Sequence, residues 1–254
     1  MPKPVNQVPA FAPETYDFED VAGWREHLDE HGFAVIHEAM SEEDATETIE
    51  TFKKEMEYVS QDWKWDDPKT WVAKNSPMTW NKSSVVFEGF GQSDSNWNIR
   101  LKSKAKDAFA EIYQTQDLVT SFDGLSLFVT SNQKSPSWLH QDQRAEDDRL
   151  SVQAIMNLLE CGEWDAGFIC VPGTHKTYTP ANAKGDWCMV PEEDPLHGQE
   201  VKVMTPPRSL ILFHSKLVHA NTGMATYHPN GKHLNRLSSY VAFVPRERQT
   251  KEVY

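Results

Sequence analysis

The residues best suited to chemistry in this 254-residue chain are His140, Asp142 and His219. In His140-Gln141-Asp142 the two possible ligands stand at i and i+2. An extended segment points such a pair to one side, so both can bind one metal ion while the backbone runs past it. A third ligand has to come from elsewhere, and His219, 79 positions beyond His140, offers a second imidazole. Two imidazoles and one carboxylate suit a ferrous ion and leave its remaining positions open for small molecules and O2. A bare His-x-Asp is a weak signal, because most histidines and aspartates are ordinary hydrogen-bonded surface residues, and other histidines compete. His214 precedes His219 by five residues, which puts the two on opposite faces of a regular strand. His175 sits in the turn Pro172-Gly173-Thr174-His175-Lys176.

The elements that must position these residues can be read along the chain. Met1 to Glu14 holds four prolines and little periodicity, which predicts a tail or an extended arm. Asp17, with Asp20 three residues later, is the expected N-cap of a helix carrying Phe18, Val21, Trp24 and Leu28 at helical spacing and stopped by Gly32. Phe33 to His37 is a predicted strand. Ser41 with Asp44 opens a second helix with the stripe Ala45, Ile49, Phe52 and Met56, and a third runs from about Lys102 to Tyr113 with Ala105, Ala108, Phe109 and Ile112 on one side. Between them, Gln61 to Arg100 holds Trp63, Trp65, Trp71, Trp80 and Trp97 without periodicity; it is too aromatic for disorder and is expected to cover the mouth of a site. From Gly124 onward short apolar runs alternate with turns, as in a β-sandwich or barrel. The expected strands are Leu125 to Thr130, Leu150 to Leu159, Gly167 to Val171, Glu200 to Met204, Ser209 to Phe213 and Asn235 to Val244. Thr177 to His197 is expected to be a surface loop, and Pro229-Asn230-Gly231 a turn.

Composition narrows the function classes. Lys and Arg number 25 against 38 Asp and Glu, a net charge of -13, which disfavours nucleic-acid backbones as partners and weighs against a coenzyme A thioester. No run of eighteen apolar residues and no basic-then-apolar leader is present, so the expectation is a cytoplasmic protein without a membrane span, acting on a small molecule. Cys161, Cys170 and Cys188 are odd in number and unpaired in spacing, which predicts reduced thiols and no zinc knuckle.

The order Trp138-Leu139-His140-Gln141-Asp142-Gln143, Gly167 to Lys176, Ser209 to Asn221 and Arg236-Leu237-Ser238 resembles the phytanoyl-CoA dioxygenase family of iron(II)/2-oxoglutarate oxygenases. The resemblance covers roughly residues 120 to 245 well and 15 to 60 more loosely. It implies a mainly β fold with N-terminal α-helices, a double-stranded β-helix (jelly roll, cupin-like). Residues 1–254 would form a single oxygenase domain, with 1–60 helical, 61–115 an irregular cap and helix, and 120–245 the jelly-roll core. It also implies Fe(II) as cofactor, 2-oxoglutarate and O2 as cosubstrates, His140, Asp142 and His219 as metal ligands, and hydroxylation of an unactivated C–H bond with release of succinate and CO2. Related halogenases lack the carboxylate ligand, so Asp142 points to hydroxylation.

Strand alternation then assigns the cosubstrate residues. Arg236, Ser238, Tyr240 and Ala242 fall on one side of the last strand; Leu237, Val241 and Phe243 fall on the other. An arginine aimed into a barrel is costly unless an anion meets it, and the distal carboxylate of 2-oxoglutarate is such an anion, with Ser238 adding a hydroxyl. The family's arginine usually sits nearer the distal histidine; here 17 residues separate Arg236 from His219, which predicts a longer hairpin loop. On Leu150 to Leu159, Gln153 and Asn157 lie on the polar side, either lining the barrel as cosubstrate or substrate contacts or facing solvent. Asn221 is a further candidate for the metal-bound end of the cosubstrate. The alternatives are a cupin-type isomerase or hydrolase that does not use 2-oxoglutarate, for which Arg236 has no task, and a non-catalytic binding module, which does not explain the ordered set of ligands.

Overall fold

The computed structural model describes residues 8–76, 84, 85, 89–129, 138–144, 146–180, 187–223, 231 and 234–249. Trp80, Thr130 and the Pro229-Asn230 part of the expected turn lie outside them. Two six-stranded sheets face each other. One runs Phe33–Ile36, Ser209–His214, Val152–Asn157, Leu234–Val241, Leu125–Val129 and Ser84–Val85. The other runs Ala10–Phe11, Val201–Val203, Gly167–Cys170, His219–Thr222, His140–Gln141 and Cys188–Met189. The proline-bearing arm thus adds an edge strand, parallel to Val201–Val203, while the other pairings within these sheets are antiparallel. This is the expected jelly roll.

The first sheet is buried on both faces, which fixes what each face of its strands must be. Val152, Ala154, Met156, Leu210, Leu212, Leu237 and Val241 point outward and pack under helices through Trp24, Phe52, Met56, Ile99 and Phe109. Ile155, Ile211 and Phe213 point inward and meet Phe168, Cys170 and Val203 of the opposite sheet. The more apolar face of Val152–Asn157 is therefore the one under the helices, and its polar face, with Gln153, looks into the sandwich.

The helices follow local chemistry with two corrections. Helix Val21–His31 is capped by Asp20, whose carboxylate accepts from Gly23 N, and not by Asp17; Gly32, at φ 84°, ends it in the left-handed conformation that glycine tolerates best. Ser41 caps Glu42–Val59 as expected, accepting from Asp44 N while its hydroxyl donates back to the Asp44 carboxylate. The third expected helix runs from Ala105 to Tyr113, and a further helix, Asp94–Lys102, precedes it across Ser103 and Lys104 within the segment expected to be irregular. The last expected strand also divides: Leu234–Val241 stays in the sheet, and Phe243–Pro245 pairs with Leu118–Thr120.

The tryptophan-rich segment differs from expectation. Trp63 and Trp71 stack at 5.9 Å with their planes 4° apart, Trp65 meets both edge-on, and Trp63 and Trp71 are buried in the helix-side core with Phe52 and Phe90. Among the described residues of this segment, these tryptophans are core and none lines the central cavity. Each of Trp65 and Trp71 also donates its indole N–H to a backbone carbonyl, which is why rings of this size can be buried there. Among the described residues no helix is long and apolar enough to cross a membrane.

Candidate metal centre and adjoining cavity

His140 and His219 are register partners on neighbouring antiparallel strands, with ring centroids 4.4 Å apart. Asp142, just past the end of its strand, is tied back by its own N–H to Ser215 O at 2.8 Å. Its carboxylate oxygens stand 3.4 Å from His140 Nε2 and 3.4 Å from His219 Nε2, and one ligand atom from each of the three residues lies within 4.8 Å of the others. The sequence therefore brings together the three residues it singled out. His214 and His175 stack on each other at 4.8 Å instead, and His175 Nε2 bonds Asp29 O at 2.9 Å.

The protonation pattern decides what this cluster can hold. His140 Nδ1 lies 2.9 Å from Trp138 O and His219 Nδ1 lies 2.8 Å from Leu217 O. A carbonyl only accepts, so each Nδ1 donates, and each ring therefore turns its Nε2 into the cluster. Burial, then the nearby His219, pushes the His140 imidazole toward its neutral form. Burial alone raises the Asp142 carboxyl, but the His140 and His219 rings that face it outweigh this and hold the group well below the usual carboxylate range. Two imidazole nitrogens and a carboxylate thus converge within 4.8 Å of one another. A divalent cation with nitrogen and oxygen preference fits this donor set, and the carbonyls behind the imidazoles fix their orientation. Gln153 Nε2 adds a hydrogen bond of 2.9 Å to Asp142 Oδ2 and one of 3.2 Å to Ser215 Oγ.

A cavity of about 200 Å³ opens beside the cluster. Trp138 lies on the His140 ring at 4.7 Å with a 15° tilt, and its indole N–H donates to Asn221 O at 3.0 Å. Trp187, 44% exposed, meets His140 at 5.4 Å, and Phe168 and Phe213 flank His219. Trp187 escaped sequence reasoning because it belongs to the expected surface loop Thr177 to His197. The described end of that segment returns as strand Cys188–Met189, paired with His140–Gln141.

Asn221 and Tyr240 line the cavity, with Arg236 behind them, bonded to Asn221. Arg236 is buried at 2% exposure; its Nε donates to Ser238 Oγ at 3.0 Å and its Nη1 to Asn221 Oδ1 at 2.7 Å. Among the described residues Nη2 has no partner, and no carboxylate pairs with this guanidinium. Burial accordingly pushes its proton affinity down. Asn157, opposite Ser238 in register, donates to Thr205 Oγ1 at 2.9 Å and lies off the cavity wall. Gln153 lines the cavity but spends its amide on Asp142. The hairpin between His219 and Arg236 is described only at residues 219–223, 231 and 234–236, where Gly231 adopts a left-handed φ of 63°.

Comparison with known proteins agrees with this geometry. A family model described as phytanoyl-CoA dioxygenase matches residues 28–228. The curated Ava biosynthesis cluster protein O of Aspergillus versicolor is 26% identical over 163 residues, 63% of this chain and 53% of that protein; the chain thus spans about half that relative's length. Among solved structures, AviO1 from Streptomyces viridochromogenes Tue57 is similar at TM-score 0.58 and 14% identity, covering 89% of this chain and 96% of its own. EctD from S. alaskensis with bound Fe is similar at TM-score 0.60 and 13% identity over 98% and 84%. The epimerase SnoN, in complex with Fe3+, alpha ketoglutarate and nogalamycin RO, is similar at TM-score 0.60 and 13% identity over 90% and 84%. At such identities the likeness is one of fold.

Proposed function

Because this chain belongs to the phytanoyl-CoA dioxygenase family, we propose that it is an iron(II)- and 2-oxoglutarate-dependent oxygenase that hydroxylates an unactivated C–H bond of a small organic substrate, consuming O2 and releasing succinate and CO2. The observation that carries this reading is the buried Arg236, whose Nη2 has no partner among the described residues, behind a cluster of two imidazoles and a carboxylate. A 2-oxo dicarboxylate answers both at once: its keto-acid end chelates a metal and its far carboxylate neutralises a guanidinium. A metal-dependent isomerase or hydrolase without 2-oxoglutarate explains the cluster but leaves Arg236 a buried charge with no anion, a cost of several kcal/mol.

His140, Asp142 and His219 would hold iron on one face and leave the cavity side open. With 2-oxoglutarate and O2, the iron supplies the oxidising power for C–H cleavage. The protein's own part is positional. Trp138 O and Leu217 O fix the imidazoles, Gln153 keeps Asp142 turned toward them, and Arg236 with Ser238 offers donors to the far carboxylate. Phe168, Phe213 and Ile155 form the apolar wall that keeps water from the reacting centre. No residue is assigned as general acid or base.

The test is anaerobic titration of the Fe(II)-loaded protein with 2-oxoglutarate, followed by the visible charge-transfer absorption of the chelate, then a screen of succinate formation over candidate substrates. The band and substrate-stimulated succinate are expected. Iron binding without any such band would overturn the assignment.

A further inference from the structure

We propose that Tyr240 is a donor to the distal carboxylate of the cosubstrate, and that Asn221 aims both Tyr240 and Arg236 at that carboxylate. This rests on the 2-oxoglutarate reading above.

Counting hydrogens gives the direction of each bond. The Arg236 guanidinium only donates, so the atom of Asn221 at 2.7 Å from Nη1 is the carbonyl oxygen. The amide nitrogen is then the end that meets Tyr240 Oη at 2.9 Å, and there it donates. Tyr240 Oη is thereby an acceptor from Asn221, and its own hydrogen is left to point elsewhere. Ser238 Oγ likewise accepts from Arg236 Nε and keeps its own hydrogen. With Arg236 Nη2, three polar groups of one strand hold hydrogens that no acceptor among the described residues takes.

Position agrees with this count. Arg236, Ser238 and Tyr240 alternate along one face of Leu234–Val241, about 6.6 Å apart in steps of two. Ser238 and Arg236 are deeply buried, whereas Tyr240 and Asn221 reach the cavity wall, and Tyr240 is paired in register with Ile155 on that wall. A carboxylate arriving from the metal side therefore meets the Tyr240 hydroxyl in front of the guanidinium. The bonds through Asn221 lock the two donors together, so loss of Asn221 releases both. Its backbone oxygen is also held by the Trp138 indole, which lies on His140, so the anchor and the metal cluster share one rigid wall.

The test uses Tyr240→Phe, which removes the hydroxyl and keeps the ring, in the Fe(II)-loaded protein without O2. Two ligands are titrated by calorimetry and visible absorption: 2-oxoglutarate, and pyruvate, which has the chelating end without the distal carboxylate. The variant should bind 2-oxoglutarate about tenfold more weakly, the usual scale for one hydrogen bond to a charged group, with pyruvate and Fe(II) affinity unchanged. Asn221→Leu should show the same selectivity with a larger loss. Equal losses for both ligands, or 2-oxoglutarate binding like wild type, would overturn the proposal. A wild-type protein that binds iron but neither keto acid would instead overturn the oxygenase reading on which it rests.

Discussion

His140 and His219 face each other across two antiparallel strands, and each donates its Nδ1 proton to the carbonyl two residues before it, Trp138 O and Leu217 O. The same backbone device is thus used twice, once per strand, and it turns both Nε2 atoms toward the Asp142 carboxylate. Strand register, more than any loop, builds the candidate metal centre.

Replacing His140 or Asp142 by Ala removes one of the three proposed ligands. Fe(II) affinity should then fall by more than the roughly 10- to 100-fold usual for losing a residue behind a ligand. Calorimetric iron titration reads this directly, and unchanged affinity in both variants would show that the metal binds elsewhere.

Gln153 acts one step back. Its amide fixes Asp142 Oδ2 while bridging to Ser215 Oγ, which pairs with Ser151 Oγ at 2.8 Å. Gln153→Leu keeps the volume and removes the donor, so iron affinity should fall roughly 10- to 100-fold with the fold intact by circular dichroism. Glu at this position should do worse than Leu, because it places a second carboxylate against Asp142.

The pairing of His140 with Asp142 was legible in the sequence because i, i+2 spacing on an extended chain turns both to one side, and the structure brings His219 to the same point. So were the strands whose two faces are both apolar. What stayed hidden has physical causes. His140–Gln141 and Cys188–Met189 have two residues each, too few for any period. Helix Asp94–Lys102 buries Ser95, Asn96 and Arg100, so its inner face does not read as apolar; their partners, such as Glu55 for Ser95 and Gly91 O for Arg100, come from distant or irregular segments. The tryptophans at 63, 65 and 71 stack on one another without a repeat because they pack on a helix from a loop. The role of Asn221 depends on bonds between side chains of two strands, which no spacing reveals.

The His214–His175 pair gives a stability prediction. Burial, and then the neighbouring His175, lowers His214 from the ordinary 6.5 to about 4, and burial also lowers His175. A folded-state value below the unfolded one means that the unfolded chain takes up the proton first. The stabilising effect of keeping His214 neutral is therefore complete above about pH 6.5 and is lost as pH falls toward 4, by at most about 3 kcal/mol. Asp29 faces the pair and favours the charged forms, while Lys176 opposes them. Urea unfolding at pH 7.5, 6 and 5 should show the wild type weakening more steeply than His214→Phe; parallel slopes would remove His214 from the account.

Arg236 separates the cosubstrate from the metal, since iron binding alone is also compatible with an isomerase. If its guanidinium pairs with the distal carboxylate, Arg236→Leu should weaken 2-oxoglutarate by roughly 2 to 5 kcal/mol, the cost of truncating one partner of a buried charge pair. Iron affinity should hardly change, because nothing links Arg236 to the metal cluster except the wall through Asn221 and Trp138. Lysine should restore part of the loss, returning the charge without the fixed fork of donors that also holds Ser238 and Asn221. Anaerobic titration of each Fe(II) protein with 2-oxoglutarate measures the three affinities on one scale. A leucine variant that titrates like wild type would leave the iron centre standing but move the carboxylate anchor to another residue.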